Sequence, residues 1–264
     1  MEPIVTIAVR AARAAGNLLK RSQQNLDQVH WTSKGRNDFV SEADRAAELL
    51  IVETIQQSYP DHAILAEESG HSGGESSEVE WIIDPLDGTT NFIHGIPHFA
   101  VSIGVKVRGK VEHAVVYDPM RDELFTASRG KGADVNNMRI RVGKHQDIQD
   151  CLLATGFPFR NHDLLPIWQK TFDALFESCS DVRRAGSAAL DLAYVAAGRL
   201  DGFWEFGLSP WDTAAGGLLI KEAGGIIEDI QGKPDFLATG NILTANPKVF
   251  KAMLQKLQPI VKKL

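Results

Sequence analysis

The sequence predicts an α/β (α+β) protein in which helices and mixed sheets form a layered sandwich. Helical and strand patterns come in blocks over residues 1–150 and alternate over residues 151–264. This change predicts sheets with both parallel and antiparallel strands rather than a regular doubly wound fold. No internal repeat or long linker divides the chain. We therefore expect a single domain, residues 1–264, with two dependent lobes of roughly 1–150 and 151–264.

The composition excludes several classes of protein. The hydrophobic fraction of 44% is enough for a sizeable core, and the two cysteines lack the spacing of a zinc site or disulfide framework. No apolar run reaches transmembrane length, and residues 4–19 have helical periodicity rather than the pattern of a signal peptide. We expect a cytoplasmic protein without membrane contact. The net charge of −6 argues against broad nucleic-acid binding.

In the first half, we expect two helices followed by strands. The first helix covers residues 4–19, and the second begins at Ser41, a favoured N-cap residue. Asp44, in the first turn, is equally compatible with a capping and a functional role. The polar residues 34–38 and 71–77 predict loops, and apolar patterns predict strands at 63–66, 81–83, 99–107, 112–117 and 123–127. Pro85 is expected to stop the strand at residues 81–83 because it has no N–H group.

In the second half, helices and strands alternate. Ser187 is a candidate N-cap, and Pro210 and Gly224 mark the start and end of another helix. Helices are predicted at residues 164–176, 187–197, 210–223 and 246–261, and strands at 152–154, 182, 202–205, 226–227 and 242–243.

The segment DPLDGTTNF, residues 84–92, carries the strongest chemical signal. Asp84 and Asp87 come where a buried strand is expected to end, and the turn that follows them can present backbone N–H groups to an anion. Glu67 also follows a predicted strand, and Asp212 lies in the first turn of a predicted helix. Clustered carboxylates of this kind can hold two or more Mg²⁺ ions for phosphate-ester hydrolysis.

Three other kinds of site are disfavoured. An aspartyl-phosphate phosphatase of the haloacid dehalogenase type needs Asp-x-Asp, but Leu86 stands at the position of the second Asp. A dinucleotide fold needs Gly-x-Gly-x-x-Gly after a strand, and this pattern is absent. His94 and His98 have a spacing that could bind zinc on a helix, but Gly95 and Pro97 argue against a helix there, so we interpret both as loop histidines.

The same residues resemble the inositol monophosphatase family nearly end to end. Residues 84–92 resemble its first signature, residues 211–225 its second, and residues 67–69 its upstream metal segment. Further stretches are similar to the bacterial SuhB-type members, at residues 34–40, 117–121, 154–159 and 183–194. The resemblance implies a five-layer αβαβα sandwich, a homodimer, Mg²⁺ dependence and sensitivity to lithium.

The resemblance also implies a metal-binding role for five residues. Glu67, Asp84 and the Leu86 carbonyl would hold the first Mg²⁺. Asp84, Asp87 and Asp212 would hold the second, and Glu67 with waters would hold a weaker third.

The remaining matches concern water, phosphate and sugar. Thr89 and Glu67 would orient the attacking water, the backbone N–H groups of Gly88 and Thr89 would bind the phosphate, and Asp44 would belong to the outer metal network. The residues implied to contact the substrate ring are Asp87, Gly186, Ser187, Ala188 and Glu205.

Three functions follow from the sequence and its resemblance. The first is Mg²⁺-dependent hydrolysis of myo-inositol monophosphates to inositol and phosphate. The second is a non-catalytic role, because SuhB-type proteins join the NusA-containing antitermination complex on RNA polymerase during ribosomal RNA transcription. The third is hydrolysis of another substrate, such as fructose 1,6-bisphosphate or a nucleotide 3′-phosphate, although Glu205 favours a polyhydroxyl ring.

Overall fold

The fold is a five-layer αβαβα sandwich, described by a computed structural model for residues 2–26, 29–35, 38–74, 76–233 and 235–262. Its described α-helices are α1 (Pro3–Gln23), α2 (Glu42–Gln56), α3 (Thr89–Ile93), α4 (Leu165–Phe176), α5 (Ala188–Ala196), α6 (Pro210–Glu222), α7 (Phe236–Thr239) and α8 (Pro247–Val261). Its described strands are β1 (Trp31–Gly35), β2 (Asp38–Ser41), β3 (Ala63–Ala66), β4 (Gly70–Ser72), β5 (Val79–Asp87), β6 (Ala100–Val107), β7 (Lys110–Asp118), β8 (Glu123–Ser128), β9 (Gly132–Val135), β10 (Met138–Arg139), β11 (Leu152–Thr155), β12 (Asp181–Arg183), β13 (Gly202–Glu205), β14 (Ile226–Asp229) and β15 (Ile242–Ala245).

Two mixed sheets form the second and fourth layers. The larger sheet has the order β10-β9-β8-β7-β6-β5-β3-β4, and its β3–β5 pair is parallel while the other neighbours are antiparallel. The smaller sheet has the order β12-β11-β13-β15-β14, in which β11 runs parallel to both of its neighbours. The predicted mixed sheets are therefore confirmed.

Three helical layers cover these sheets. Helices α1 and α2 pack on the outer face of the larger sheet, α5 and α6 lie between the two sheets, and α4 and α8 cover the outer face of the smaller sheet. Burial of apolar surface between layers is the main stabilising contribution. Strand β6 is accordingly buried on both faces from Ala100 to Val105. Among the described residues, no helix has the length and apolar character needed to cross a membrane.

The predicted helix starts are confirmed by local hydrogen bonds. The Ser41 Oγ accepts from the Asp44 N–H at 3.3 Å, and the Ser187 Oγ accepts from the Leu190 N–H at 3.4 Å. Each bond satisfies a donor of the first helical turn. Helix α6 begins at Pro210 as predicted. These starts matter because α5 and α6 bring polar residues to the cavity described below, and Asp44 of α2 contacts Thr89 at its wall.

The structure corrects three local predictions. Strand β5 does not stop at Pro85 but continues to Asp87, because a register irregularity between Asp84 and Asp87 removes the proline from the regular ladder. The predicted loop at residues 34–38 instead contributes to the β1–β2 hairpin, although positions 36 and 37 lie outside the described residues. The predicted loop at 71–77 begins with β4, an edge strand that pairs with β3 and needs few apolar side chains.

Candidate active site

Four carboxylates meet at one edge of the larger sheet. Asp84 and Asp87 lie near the C-terminal end of β5, and Asp212 lies in the first turn of α6. One oxygen from each of these three lies within 4.8 Å of the others. Glu67 follows β3, whose parallel pairing with β5 brings its side chain to the same cavity. The structure therefore brings these four carboxylates to one cavity.

Backbone and hydroxyl donors hold two of the carboxylates in place. The Leu86 N–H donates to the Asp84 Oδ1 at 2.9 Å. The Ser187 hydroxyl and the Ala189 N–H donate to the Asp87 Oδ2 at 2.5 and 2.7 Å. These two bonds join the end of β5, in the larger sheet, to the start of α5, in the central helical layer. Both carboxylates are thus oriented by the fold itself.

Asp212 is oriented from within its own helix start. The Ser209 N–H donates to the Asp212 Oδ2 at 2.7 Å, so this carboxylate caps α6 and also faces the cavity. Asp212 therefore caps a helix and lines the cavity at the same time. The small residues that follow Asp212 allow close packing, because Gly216 lies directly against Leu192 of α5.

Burial and like charge make this cluster electrostatically costly. Burial, followed by the charges of Glu67, Asp87 and Asp212, raises the pKa of Asp84 well above its usual value. Burial also raises the pKa of Asp87 and of Asp212. A divalent cation would relieve both the repulsion and the desolvation. The donor set consists of carboxylate oxygens beside the Leu86 residue, and hard oxygen ligands are those that Mg²⁺ prefers. These residues therefore fit a Mg²⁺ site.

Arg160 is a cation that the sequence analysis did not single out. Its Nη2 lies 3.8 Å from the Glu67 Oε1, and its Nη1 lies 3.8 Å from the Asp212 Oδ2. The guanidinium also packs over the Phe159 ring, at 5.1 Å from the ring centroid. The chain carries no local pattern that would have indicated this contact, because it depends on the approach of two distant segments.

Asp44 and Thr89 are brought into direct contact. The Thr89 Oγ1 lies 3.0 Å from the Asp44 Oδ1 and 3.1 Å from the Leu86 carbonyl oxygen, so its single proton can be donated to either. Burial raises the pKa of Asp44 to about 6, against hydrogen bonds from Ser41 and Thr89 that lower it. Gly88 precedes α3 with φ +101°, a conformation that favours glycine. Asp44 therefore takes part in the cap of α2 and contacts Thr89, which lines the cavity.

The other side of the cavity contains the predicted substrate residues. The cavity has a volume of about 100 Å³, and Gly186, Ser187, Ala188 and Glu205 line it together with the acidic cluster. Glu205 ends β13 and is 7% exposed. Asp191, which the sequence analysis missed, lines the same side and is 3% exposed. A signal was available, since Asp191 interrupts the Ala- and Leu-rich start of α5 with a charge.

Glu48 is a second residue that the sequence analysis missed. Its carboxylate accepts from the backbone N–H groups of Glu68 and Ser69 at 2.8 and 2.9 Å. These bonds fix the segment that carries Glu67. Glu48 lies one helical turn after Asp44 on the buried face of α2, so a charge on an apolar helical face was its signal in the sequence.

The histidines of the central segment do not form a metal cluster with other potential ligands within the described ranges. His94 follows α3 directly, and His98 lies in the loop before β6. Those ranges contain one further group of potential metal ligands, His145, Cys151 and Asp201. The Asp201 carboxylate already accepts from the Leu152 N–H and contacts His145, each at 2.9 Å, so we interpret this group as structural.

Comparisons with known proteins agree with this geometry. The model of the "Inositol monophosphatase family" matches residues 1–262. The chain is 55% identical over 258 residues to the Nus factor SuhB of Escherichia coli K12, covering 98% of this chain and 97% of that relative.

Two solved structures have the same fold along nearly the whole chain. The extragenic suppressor protein suhB from Bartonella henselae superimposes with a TM-score of 0.95 at 42% identity, covering 97% of this chain and 99% of that one. The inositol monophosphatase from Anabaena superimposes with a TM-score of 0.83 at 39% identity, covering 97% and 95%. Fold, acidic cluster and sequence agree, and the chain belongs to the inositol monophosphatase family.

Proposed function

We propose that this protein hydrolyses myo-inositol monophosphates to inositol and phosphate in the presence of Mg²⁺. The observation that carries the proposal is the convergence of Asp84, Asp87 and Asp212 within 4.8 Å, beside a cavity whose far side is also polar. The similarity to a protein named an inositol monophosphatase supports the same substrate class.

The metal-binding residues would be Glu67, Asp84, the Leu86 carbonyl, Asp87 and Asp212. Two to three Mg²⁺ ions bound there would polarise the phosphate, activate the attacking water and stabilise the leaving oxygen. The bonds that orient Asp84 and Asp87 before any ligand arrives reduce the reorganisation needed during the reaction.

Thr89, Asp44 and Glu67 would manage the attacking water. When the Thr89 hydroxyl donates to Asp44, its oxygen lone pairs remain able to accept a proton from water. Asp44, with a pKa raised to about 6, can receive the proton that Thr89 passes on. Glu67 would hold the same water from the opposite side of the cavity.

The substrate would lie across the cavity. The backbone N–H groups of Gly88 and Thr89 would bind the phosphate, and Asp87 would contact both metal and ring. The ring hydroxyls would meet the remaining substrate residues, which are Gly186, Ser187, Ala188 and Glu205.

Phosphate release from inositol 1-phosphate tests the proposal. We expect turnover by the wild-type protein that requires Mg²⁺ and that is lost in Asp87→Asn, with circular dichroism and a melting curve as checks of folding. A folded wild-type protein that releases no phosphate at any Mg²⁺ concentration would overturn it. Parallel assays with fructose 1,6-bisphosphate and a nucleotide 3′-phosphate identify a different preferred substrate.

A second candidate function rests on the 55% identity to a Nus factor SuhB. We infer that the chain can also bind NusA or RNA polymerase in a ribosomal RNA antitermination complex, a role that would not need the catalytic carboxylates. Purified NusA and RNA polymerase should be retained equally by wild type and by Asp87→Asn. Absence of retention by both variants would contradict this role and leave the phosphatase proposal intact.

A further inference from the structure

Two carboxylates in the cavity have no part in the proposed metal cluster. Asp191 lies on α5, and Glu205 lies at the end of β13. Their residues are 3% and 7% exposed, yet both line the same cavity as Asp84, Asp87 and Asp212 without belonging to that metal-ligand group. The fold therefore brings two further acidic groups from different layers to one small space.

Neither carboxylate receives a hydrogen bond from another described part of the protein. Among the described residues, no donor contacts the carboxylate oxygens of Asp191 or Glu205, whereas Asp84 and Asp87 both accept hydrogen bonds from backbone N–H groups. Neither residue has a fully buried oxygen that lacks a hydrogen-bond partner, so the unpaired oxygens are accessible from the cavity. A carboxylate has about four lone-pair sites. The missing donors must therefore come from whatever enters the cavity.

The arrangement costs free energy in the absence of a ligand. Burial, and then the charge of Asp191, raises the pKa of Glu205. Burial, and then the charge of Asp87, raises the pKa of Asp191, and Arg184 at the cavity wall opposes both effects. The Glu205 carboxylate also lies close against Gly156, in the space that a Cβ atom on that residue would fill. Buried acidic groups that repel one another inside a cavity are typical of a functional site.

We propose that Asp191 is a second hydroxyl-binding residue, and that Asp191 and Glu205 together select phosphate esters of polyhydroxylated compounds. This inference rests on the proposed phosphatase function. The hydroxyls of a polyol supply several donors in a small volume, and both carboxylates can accept from them. An ester without hydroxyls would leave two buried acceptors unpaired, which is how polar sites reject such analogues.

The test compares two esters that share a six-membered carbon ring. Inositol 1-phosphate carries ring hydroxyls, and cyclohexyl phosphate carries none. We expect the wild-type protein to prefer the first ester, and Asp191→Asn to raise its KM about tenfold, the usual consequence of losing hydrogen bonds to a charged group. The kcat for inositol 1-phosphate and the kinetics of cyclohexyl phosphate should stay within about twofold, because hydrolysis itself does not use Asp191.

Asp229→Asn is the matched control. Asp229 is a carboxylate on β14 that is 1% exposed, and its Oδ2 lacks a partner, but it does not line the cavity. This substitution should leave both esters unaffected. The double variant Asp191→Asn/Glu205→Gln should raise KM by less than the product of the two single effects, because both groups contact one ligand.

Two results would overturn the inference. One is an equal change, or no change, for both esters in Asp191→Asn; the other is a wild-type protein that does not distinguish the esters. If the wild type releases phosphate from neither, the proposed function fails, and calorimetric binding of inositol 1-phosphate with Mg²⁺ decides about Asp191. Binding weakened about tenfold in Asp191→Asn supports the inference, and equal or undetectable binding in both variants overturns it.

Discussion

The two sides of the cavity, called here the metal side and the ring side, both contain buried carboxylates but differ in the hydrogen bonds that those carboxylates accept. On the metal side, Asp84, Asp87 and Asp212 each accept at least one hydrogen bond from a backbone N–H group, which fixes their orientation. On the ring side, Asp191 and Glu205 accept none from the rest of the described protein. Both sides are buried, and burial raises the pKa of carboxyl groups on each.

The difference indicates which kind of ligand suits each side of the cavity. Carboxylates that backbone N–H groups already orient can bind a cation directly. The cation supplies no hydrogen-bond donors and requires only a suitable coordination geometry. Carboxylates without donors need a ligand that brings its own, such as a polyol. Variants that remove the charge on one side should therefore impair different measurements from variants on the other side.

The largest effect is expected on the metal side. Asp212→Asn should lower Mg²⁺-dependent kcat/KM at least about a thousandfold, because metal ions supply several kcal/mol of transition-state stabilisation and each 1.36 kcal/mol is tenfold in rate. Initial rates with inositol 1-phosphate measure this. Asp235→Asn is the control, since Asp235 is the exposed N-cap of α7 and Asn caps a helix equally well. Similar losses in both variants would contradict a specific metal role.

Glu48→Gln should have the next largest effect. Its carboxylate holds the backbone beside Glu67, so the amide, with one acceptor oxygen, should release one of the two N–H groups. Loss of a residue that orients a metal ligand typically costs about 10- to 100-fold in metal affinity or activity. Calorimetric titration with Mg²⁺ should detect the weakening. Glu53→Gln, on the exposed face of the same helix, should leave the titration unchanged, and an unchanged titration in Glu48→Gln would refute the positioning role.

Arg160 should shift metal affinity in the opposite direction. Its guanidinium lies 3.8 Å from both Glu67 and Asp212, so it competes with cations for their charge. Arg160→Gln should tighten Mg²⁺ binding roughly two- to tenfold. This range corresponds to the modest energy of the two partly exposed ion pairs that the substitution removes. Arg160→Lys keeps the charge and is the control. Weaker Mg²⁺ binding in Arg160→Gln would mean that Arg160 supports the metal site instead of competing with it.

The smallest effect concerns stability and pH on the ring side. Because burial raises the folded-state pKa of Asp191 above 3.8, its contribution to stability is present below about pH 4 and lost as pH rises through the raised pKa. In metal-free buffer, the Tm of Asp191→Asn minus the Tm of the wild type should therefore increase as pH rises from 4 to 8. Each kcal/mol corresponds to about 2–4 °C. A Tm difference that does not change with pH would contradict a buried charge at Asp191.

The metal side could be predicted from the sequence, and the ring side only in part. Asp84, Asp87 and Asp212 follow local signals, namely the end of an apolar strand or the start of a helix. Arg160 reaches the cluster only through tertiary packing, which leaves no periodic signal. Pro85 was misinterpreted for a related reason, since only the pairing with β6 reveals the irregularity that accommodates it.

The same distinction applies to the fold. Helix starts depend on neighbouring residues, so Ser41 and Ser187 predicted α2 and α5 correctly. The edge strand β4 and the β1–β2 hairpin depend on a partner strand, and their polar composition was interpreted as loop. Asp191 and Glu48 were missed although each places a charge on a buried helical face, a pattern that can be searched for.

A crystal structure of the Asp87→Asn variant with Mg²⁺ and inositol 1-phosphate, obtained at neutral pH, would test the division of the cavity most directly. We expect cations bound by the carboxylates of Glu67, Asp84 and Asp212, and ring hydroxyls within hydrogen-bond distance of Asp191 and Glu205. A cation between Asp191 and Glu205, or a ring that avoids both, would contradict the account.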